Sequence, residues 1–211
     1  MADLEMMANT VIEGNIEGVV ELVQKAVDEG MNPLEVINKG LMAGMNVVGE
    51  RFKAGDMFVP EVLMSAKAMG EGMRIVKPLI VGGEIPSQGK VLLGTVKGDL
   101  HDIGKKLVGM IMESGGLEVV DLGIDVKPEK FAEAVKKDEP DVLGMSALLT
   151  TTMLAMKDTI EVLQEEGIRE QVKIIVGGAP VTSDFAEEIG ADGWAPDAVN
   201  AKDLAIKIRG A

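Results

Sequence analysis

The chain has 211 residues, a formal net charge of −14 and 46% hydrophobic side chains, so it can form one large or two modest domains with buried cores. The acidic charge is spread over both halves and only 2% of the residues are aromatic, which argues against nucleic-acid binding. The absence of cysteine excludes disulfides and thiolate metal sites, and no apolar run approaches the length of a membrane span. Because the acidic N-terminal sequence also lacks the order of a signal peptide, we predict a cytoplasmic protein.

The N-terminal part of the chain carries apolar side chains at helical spacing. One apolar stripe over residues 16–28 is followed by Asn32-Pro33, a capping residue and a proline suited to the first helical position. The next stripe stops at Gly55, and Pro60 opens a further helix. Together with a short helix near residues 3–13, the pattern predicts a four-helix bundle.

A change of pattern follows residues 81–89, which hold three glycines and a proline and which we interpret as an interdomain linker. Beyond them, short apolar runs alternate with helical stretches, as is typical of a parallel sheet covered by helices. The runs that predict strands are 90–96, 118–122, 141–146, 172–177 and 192–195, and the helical stretches are 103–115, 128–137, 152–166, 183–190 and 198–209. We therefore predict a helical domain over residues 1–88. Residues 89–211 are predicted to form a doubly wound α/β domain of Rossmann or flavodoxin type, with strand order 2-1-3-4-5.

This strand order would place the loops after strands 1, 3 and 4 side by side at the carboxyl edge of the sheet. The first of these loops contains the only histidine, His101, between two carboxylates and two glycines. The third strand ends at Ser146 and is followed by three successive threonines, Thr150–Thr152, and the fourth strand ends at Gly177-Gly178. We predict that these loops converge on one ligand-binding crevice.

Asp99 lies two residues before His101, where it could accept a hydrogen bond from one ring nitrogen and leave the other free. The pair therefore suits either a general base or a metal ligand. A zinc site is a poor fit because it needs three or four protein ligands, and a serine hydrolase is a poor fit because Gly-x-Ser-x-Gly is absent. One histidine suffices if a cofactor brings its own metal and most of its ligands, as tetrapyrrole-type cofactors do.

Other residues have both a structural and a functional interpretation. Asp102 is expected to cap a helix, and Lys105 and Lys106 are interpreted as solvated rather than as contacts to a cofactor phosphate. Gly104 is either a turn glycine or a place where bulk must be absent so that a ligand can pass. Phe58 is either a hydrophobic staple or part of a lid over a ligand.

Three motifs resemble the signature of cobalamin-binding domains, namely Asp99-x-His101-x-x-Gly104, Ser146-x-Leu148 and Gly177-Gly178. The segment 49–61 is similar to the helical cap that precedes this domain in methyl-transferring members, and the resemblance covers residues 5–209. It implies a free-standing corrinoid protein of a methyltransferase system that uses a methylamine, betaine, methanol or a methoxyarene. Such a protein carries a methyl group on the cobalt of cobalamin or a related corrinoid, cycling between Co(I) and methyl–Co(III).

The resemblance also implies roles for individual residues. His101 would be the axial cobalt ligand in the base-off form, and Asp99 would hydrogen-bond its other nitrogen. Thr152 stands where related domains extend this pair with a serine, and it keeps the hydroxyl but restricts its rotamers. Phe58 would cover the methyl-bearing face of the corrin. The remaining implied cofactor contacts are Gly98, Asp102, Gly104, Ser146, Leu148, Thr150, Gly177 and Gly178.

The implied partners are a substrate-specific methyltransferase, a second methyltransferase that passes the group to tetrahydrofolate or a thiol, and a reductive activase. The carrier is not expected to be catalytic alone, and neither nucleic acid nor a membrane is an expected partner. The main alternative is a B12-dependent sensor without methyl transfer, which is disfavoured because the chain begins with the bundle and its charge opposes DNA binding. A small subunit of an adenosylcobalamin mutase and a His–Asp hydrolase on a flavodoxin-like sheet are weaker alternatives.

Overall fold

The structure, a computed structural model, describes residues 2–80 and 88–209. The chain divides into two compact units, Met1–Ser87 with Ser114–Gly116, and Gln88–Glu113 with Leu117–Ala211. Apart from Gln88 and Gly89, the predicted linker over residues 81–89 lies outside the described residues. Over the two described ranges, no helix combines the length and the apolar character that a membrane crossing requires.

The described part of the first unit is helical, and three of its helices begin at side-chain caps. Asp3, Asn15 and Asn32 each accept a hydrogen bond from a backbone N–H of the helical turn that follows. The helical segments are α1 (Leu4–Ile12), α2 (Ile16–Asp28), α3 (Pro33–Glu35), a π-helical segment (Val36–Met42), α4 (Ala43–Ala54), α5 (Val59–Val76) and a 3₁₀ turn (Lys77–Leu79). Since α3, the π-helical segment and α4 are continuous, the four predicted helical stretches are confirmed.

The third helical stretch differs from the prediction in its winding, because Val36–Met42 is π-helical rather than α-helical. Two glycines there lie tightly against α1. A Cβ atom on Gly40 would lie 2.5 Å from the sulfur of Met7, and one on Gly44 would lie 2.6 Å from the carbonyl oxygen of Ala8. The apolar repeat in the sequence did not predict this winding, because π-helical segments are rare and occur as short stretches inside α-helices.

The second unit is a five-stranded parallel sheet with the order β2-β1-β3-β4-β5, as predicted. The strands are β1 (Lys90–Thr95), β2 (Glu118–Asp121), β3 (Val142–Ser146), β4 (Lys173–Gly177) and β5 (Gly193–Ala195). The helices are α6 (Ile103–Ser114), α7 (Pro128–Asp138), α8 (Leu154–Glu165), α9 (Ser183–Glu188) and α10 (Ala198–Ile208), with a 3₁₀ turn at Arg169–Gln171.

Alternate residues of β1 enter two separate cores on the two faces of the sheet. Leu92 belongs to the core formed with α7, α8 and α9, whereas Val91 and Leu93 belong to the core formed with α6 and α10. Burial of both faces explains why the strands are nearly continuous apolar runs in the sequence. Because all strands are parallel, their carboxyl ends lie at one edge of the sheet.

Candidate functional site

The ends of the three central strands lie side by side. Thr95, the last residue of β1, pairs in register with Ser146 of β3, which in turn pairs with Gly177 of β4. The loops that follow these strands therefore start from adjacent positions at the carboxyl edge, where ligands bind in open α/β sheets.

His101 is oriented by the carboxylate of Asp99. The ring Nδ1 lies 2.7 Å from Asp99 Oδ1, which also accepts the backbone N–H of His101 at 3.0 Å. The Asp99 side chain is completely buried, whereas 52% of the His101 side chain is exposed. Because Nδ1 is engaged by the carboxylate, Nε2 is the nitrogen that an incoming ligand can reach.

The second oxygen of Asp99 joins this pair to the loop after β3. Asp99 Oδ2 accepts the backbone N–H of Leu148 at 2.8 Å and the hydroxyl of Thr152 at 2.6 Å. Burial by itself would raise the pKa of Asp99, but the hydrogen bonds from Thr152, Leu148 and His101 together hold that pKa well below its usual range. Asp99 is therefore an anion at neutral pH, bonded on one side to the imidazole and on the other to the neighbouring loop.

This arrangement predicts how stability depends on pH. Because the pKa of Asp99 is lowered from its ordinary value of 3.8, its stabilising contribution is complete above that pH and is lost as the pH falls toward the folded-state pKa. Thr152→Val removes one hydrogen bond that lowers this pKa. We therefore expect the variant to be about 1–3 kcal/mol less stable at neutral pH, since a buried anion loses a donor. In urea unfolding of the apoprotein, we also expect a shallower loss of stability between about pH 5 and pH 2.5.

Thr159→Val is the matched control for this measurement. Thr159 is also a buried threonine, but its hydroxyl donates to the carbonyl of Ala155 at 2.7 Å and belongs to no carboxylate cluster. The control should therefore keep the pH slope of the unchanged protein. Equal slopes for Thr152→Val and Thr159→Val would contradict the role of Thr152 in holding the Asp99 charge.

Two glycines near the edge differ in what they require. Gly178 has φ +124°, and a Cβ atom there would lie 1.9 Å from the carbonyl oxygen of Ala147. Gly104, in the first turn of α6, has nothing within 4 Å of the position that a Cβ atom would occupy. The fold therefore requires glycine at position 178, whereas at position 104 the missing side chain leaves open space.

Large apolar side chains are exposed in these same loops and at the first residues of α6 and α8, which follow them. Ile103, next to the His101–Asp102 pair, is 83% exposed. The others are Leu100, Leu148, Leu149 and Leu154. Only Leu148 had been predicted as a site residue. Clustered apolar side chains in contact with water mark a binding surface, and their signal in the sequence is leucine and isoleucine in strand-end loops where polar residues are the rule.

The remaining predicted residues of the second unit are Gly98, Asp102, Ser146, Thr150 and Gly177. Gly98 and Thr150 are exposed in the loops after β1 and β3, and Ser146 and Gly177 are half-buried at the strand ends. The carboxylate of Asp102 pairs with the ammonium of Lys106, which lowers the pKa of Asp102.

The interpretation of Lys105 as a solvated side chain is wrong. Lys105 is 3% exposed, and its ammonium pairs with the carboxylate of Asp121 at the end of β2. An ammonium group can be buried in this way because the paired carboxylate compensates for the loss of water. Lys106, the next residue, is exposed as interpreted.

Phe58 belongs to the first unit, where it precedes α5. Its backbone N–H donates to Glu61 Oε2 at 2.8 Å, which satisfies one of the free donors at the start of that helix. Phe58 is 69% exposed as a residue, so it is not packed as a hydrophobic staple.

Comparisons with known sequences identify similar proteins over both units. A family model described as B12 binding domain matches residues 89–202, and a second model of the same description matches residues 3–77. A corrinoid protein of Desulfitobacterium hafniense is 45% identical over 100% of this chain and 99% of its own length. The dimethylamine corrinoid protein of Methanosarcina barkeri is 45% identical over 94% of this chain and 93% of its own length.

Solved structures show the same relationship. A chain of the methanol:cobalamin methyltransferase complex MtaBC from Methanosarcina barkeri matches with a TM-score of 0.87 and 36% identity, covering 98% of this chain and 79% of that chain. A cobalamin-binding protein from Desulfitobacterium hafniense matches with a TM-score of 0.82 and 31% identity, covering 98% of both chains.

Proposed function

This chain belongs to the B12-binding corrinoid proteins, and from that premise we propose that it carries a methyl group between a substrate-specific methyltransferase and a second methyltransferase. The observation that supports this role most directly is the half-exposed imidazole of His101, held by the buried Asp99 carboxylate at the carboxyl edge of the sheet. The similarity to a dimethylamine corrinoid protein and to a chain of a methanol:cobalamin methyltransferase complex supports the same class of system.

The residues at the sheet edge fit a corrinoid. His101 would ligate cobalt through Nε2 in place of the nucleotide base, and the exposed Leu100 and Ile103 would contact the apolar macrocycle. The displaced nucleotide tail would use the open space at Gly104 and the side-chain-free backbone at Gly178. The other proposed contacts are Gly98, Asp102, Ser146, Leu148, Thr150 and Gly177.

The bound corrinoid would supply the cobalt centre on which the methyl group is carried. The protein's own contribution is to hold the Nδ1 proton of His101 and to fix the orientation of the imidazole ring. Asp99 accepts the Nδ1 proton and thereby fixes the tautomer and raises the basicity of Nε2, as carboxylate partners do for metal-bound histidines. Thr152 donates to the second oxygen of Asp99 and would thereby help to hold the carboxylate in place beside the imidazole.

We further propose a role for Phe58 and for three partner proteins. The exposed ring of Phe58 would provide an apolar contact to the methyl-bearing face of the corrin. The substrate-specific methyltransferase would select the donor, a tetrahydrofolate- or thiol-dependent methyltransferase would take the group, and a reductive activase would restore the reduced cofactor. We propose that the carrier is cytoplasmic.

A methylation assay tests the proposed function. The protein is reconstituted with hydroxocobalamin, reduced, and incubated in turn with methanol, a methylamine, betaine and a methoxyarene, each with and without the methyltransferase specific for that donor. We expect the absorbance change of cobalt methylation only when the methyltransferase is present, because this chain does not itself bind the donor. Demethylation of the donor by the loaded protein alone, at a comparable rate, would contradict the carrier role. Cofactor binding without methylation by any of these methyltransferases would instead indicate a sensor.

A further inference from the structure

The loop that carries His101 is hydrogen-bonded to the loop after β3 on one side and to the loop after β2 on the other. Strand β1 lies between β3 and β2, so its loop has a neighbour on each side. On the β3 side, Leu148 and Thr152 donate to the carboxylate of Asp99. On the β2 side, backbone pairing continues past the end of the strand.

The pairing on the β2 side brings the loop before α7 against the His101 loop. The Thr95 N–H donates to the carbonyl of Gly123, and the Val126 N–H donates to the carbonyl of Thr95, both at 3.0 Å. Val96 and Val126 form a further parallel bridge. Asp125, one of the two residues between these anchors, is thereby placed beside the turn that contains the histidine.

Asp125 binds the two residues that precede Leu100 and His101. Its Oδ1 accepts the backbone N–H of Gly98 at 2.7 Å, and its own N–H donates to the carbonyl of Asp99 at 3.0 Å. Gly98 has φ +82° and Asp125 has φ +51°, so both lie in the left-handed region, which a non-glycine residue occupies at a cost. Hydrogen bonds at both residues offset that cost and hold the two turns together.

We infer that Asp125 is a positioning residue for His101, fixing Gly98 and Asp99 from the β2 side so that the imidazole points toward the ligand crevice. The inference rests on the proposed function, in which His101 ligates cobalt. Asp125 is exposed and at the edge of the sheet, and both of its described hydrogen bonds end on the His101 loop, so its effect is local to that loop. No motif of the sequence includes it.

Three variants separate this role from a general effect on folding. Asp125→Asn keeps an acceptor oxygen and a side chain that tolerates positive φ, whereas Asp125→Gly keeps the backbone conformation and removes the acceptor. Glu139→Gly makes the same kind of change at the other described non-glycine residue with positive φ, which is +44°. Glu139 directly follows α7 and precedes β3, so it lies toward the opposite edge of the sheet.

Amide hydrogen exchange of the apoprotein tests the hydrogen bond between Gly98 and Asp125 without any cofactor. We expect Asp125→Gly to accelerate exchange of the Gly98 amide by about tenfold or more, because that N–H loses its acceptor. Asp125→Asn and Glu139→Gly should leave the rate nearly unchanged. An unchanged exchange rate of the Gly98 amide in Asp125→Gly would overturn the inference, whether or not His101 ligates cobalt.

Electron paramagnetic resonance of the reduced Co(II) protein loaded with cobinamide, a corrinoid that carries no nucleotide base of its own, tests the positioning. An axial nitrogen splits the cobalt signal into triplets, and we expect Asp125→Gly to reduce the fraction of protein with this splitting. Asp125→Asn and Glu139→Gly should retain it. Faster Gly98 exchange with an unchanged nitrogen splitting would overturn the positioning role. Absence of the splitting in the unchanged protein would overturn the assignment of His101 as ligand. The exchange experiment distinguishes that outcome from loss of the hydrogen bond between Gly98 and Asp125, because it needs no cobalt.

Discussion

His101→Ala should bind cobinamide, a corrinoid without a nucleotide base, but lose the nitrogen splitting of the Co(II) signal, and its absorbance spectrum should shift toward the form without a lower axial ligand. The reason is chemical, because the chain contains a single histidine and no cysteine to replace it. The apoprotein should keep its stability within about 1 kcal/mol, since the ring is half-exposed and Asp99 retains its bonds from Leu148, Thr152 and the His101 backbone.

Two further measurements make this prediction specific. Added imidazole should restore the nitrogen splitting in His101→Ala, because the buried Asp99 carboxylate remains available to bind its N–H. Asp102→Asn should retain the splitting without imidazole, since the Asp102 carboxylate is paired with Lys106 rather than with the ring. A spectrum of His101→Ala identical to that of the unchanged protein would remove His101 from the cobalt.

The architecture of this chain could be predicted because its signals are local and repetitive. Strand β3 is a run of buried residues, so a short apolar segment bounded by polar ones was enough to predict it. The strand order then placed Thr95, Ser146 and Gly177 side by side without knowledge of any contact. The pairing of Asp99 with His101 was also predictable, because the two residues are neighbours in sequence and the bond closes within one turn.

The features that escaped prediction depend on contacts between segments that are distant in sequence. The role of Asp125 requires the loop after β2 to run beside Gly98, which is 27 residues away. Lys105 and Lys106 are adjacent residues of the same type in α6. Only the orientation of that helix on the sheet decides that Lys105 is the buried one. Its partner, Asp121, is 16 residues further along the chain. Periodicity identifies a buried face but not the polar group that lies opposite to it.

The second large effect is expected at Gly178, where the backbone and not a side chain limits substitution. In Gly178→Ala, the new Cβ atom would lie 1.9 Å from the carbonyl oxygen of Ala147, so the loop after β4 or the end of β3 must move. The positive φ of +124° adds strain of about 1–3 kcal/mol for any residue with a side chain. We expect the apoprotein to lose about 3 kcal/mol or more of unfolding free energy, with cobalamin binding lost as the loop is displaced.

Urea unfolding monitored by the fluorescence of Trp194 can measure this loss. Trp194 is the only tryptophan, and its Nε1–H donates to the carbonyl of Val181 in the same loop, so it reports on the substituted segment directly. Unchanged unfolding of Gly178→Ala would contradict the steric requirement at this position.

Gly104→Ala is the matched comparison, because it adds the same methyl group where nothing lies within 4 Å. Alanine also favours helix over glycine, so the apoprotein should be unchanged or more stable by up to about 1 kcal/mol. Its cobalamin affinity should nevertheless fall by about tenfold or more, since the methyl group would occupy space that we assign to the nucleotide tail. Undiminished affinity in Gly104→Ala would contradict that assignment. The two alanines thus separate a glycine that the fold requires from one that only the ligand requires, because the first lowers stability without ligand and the second lowers affinity alone.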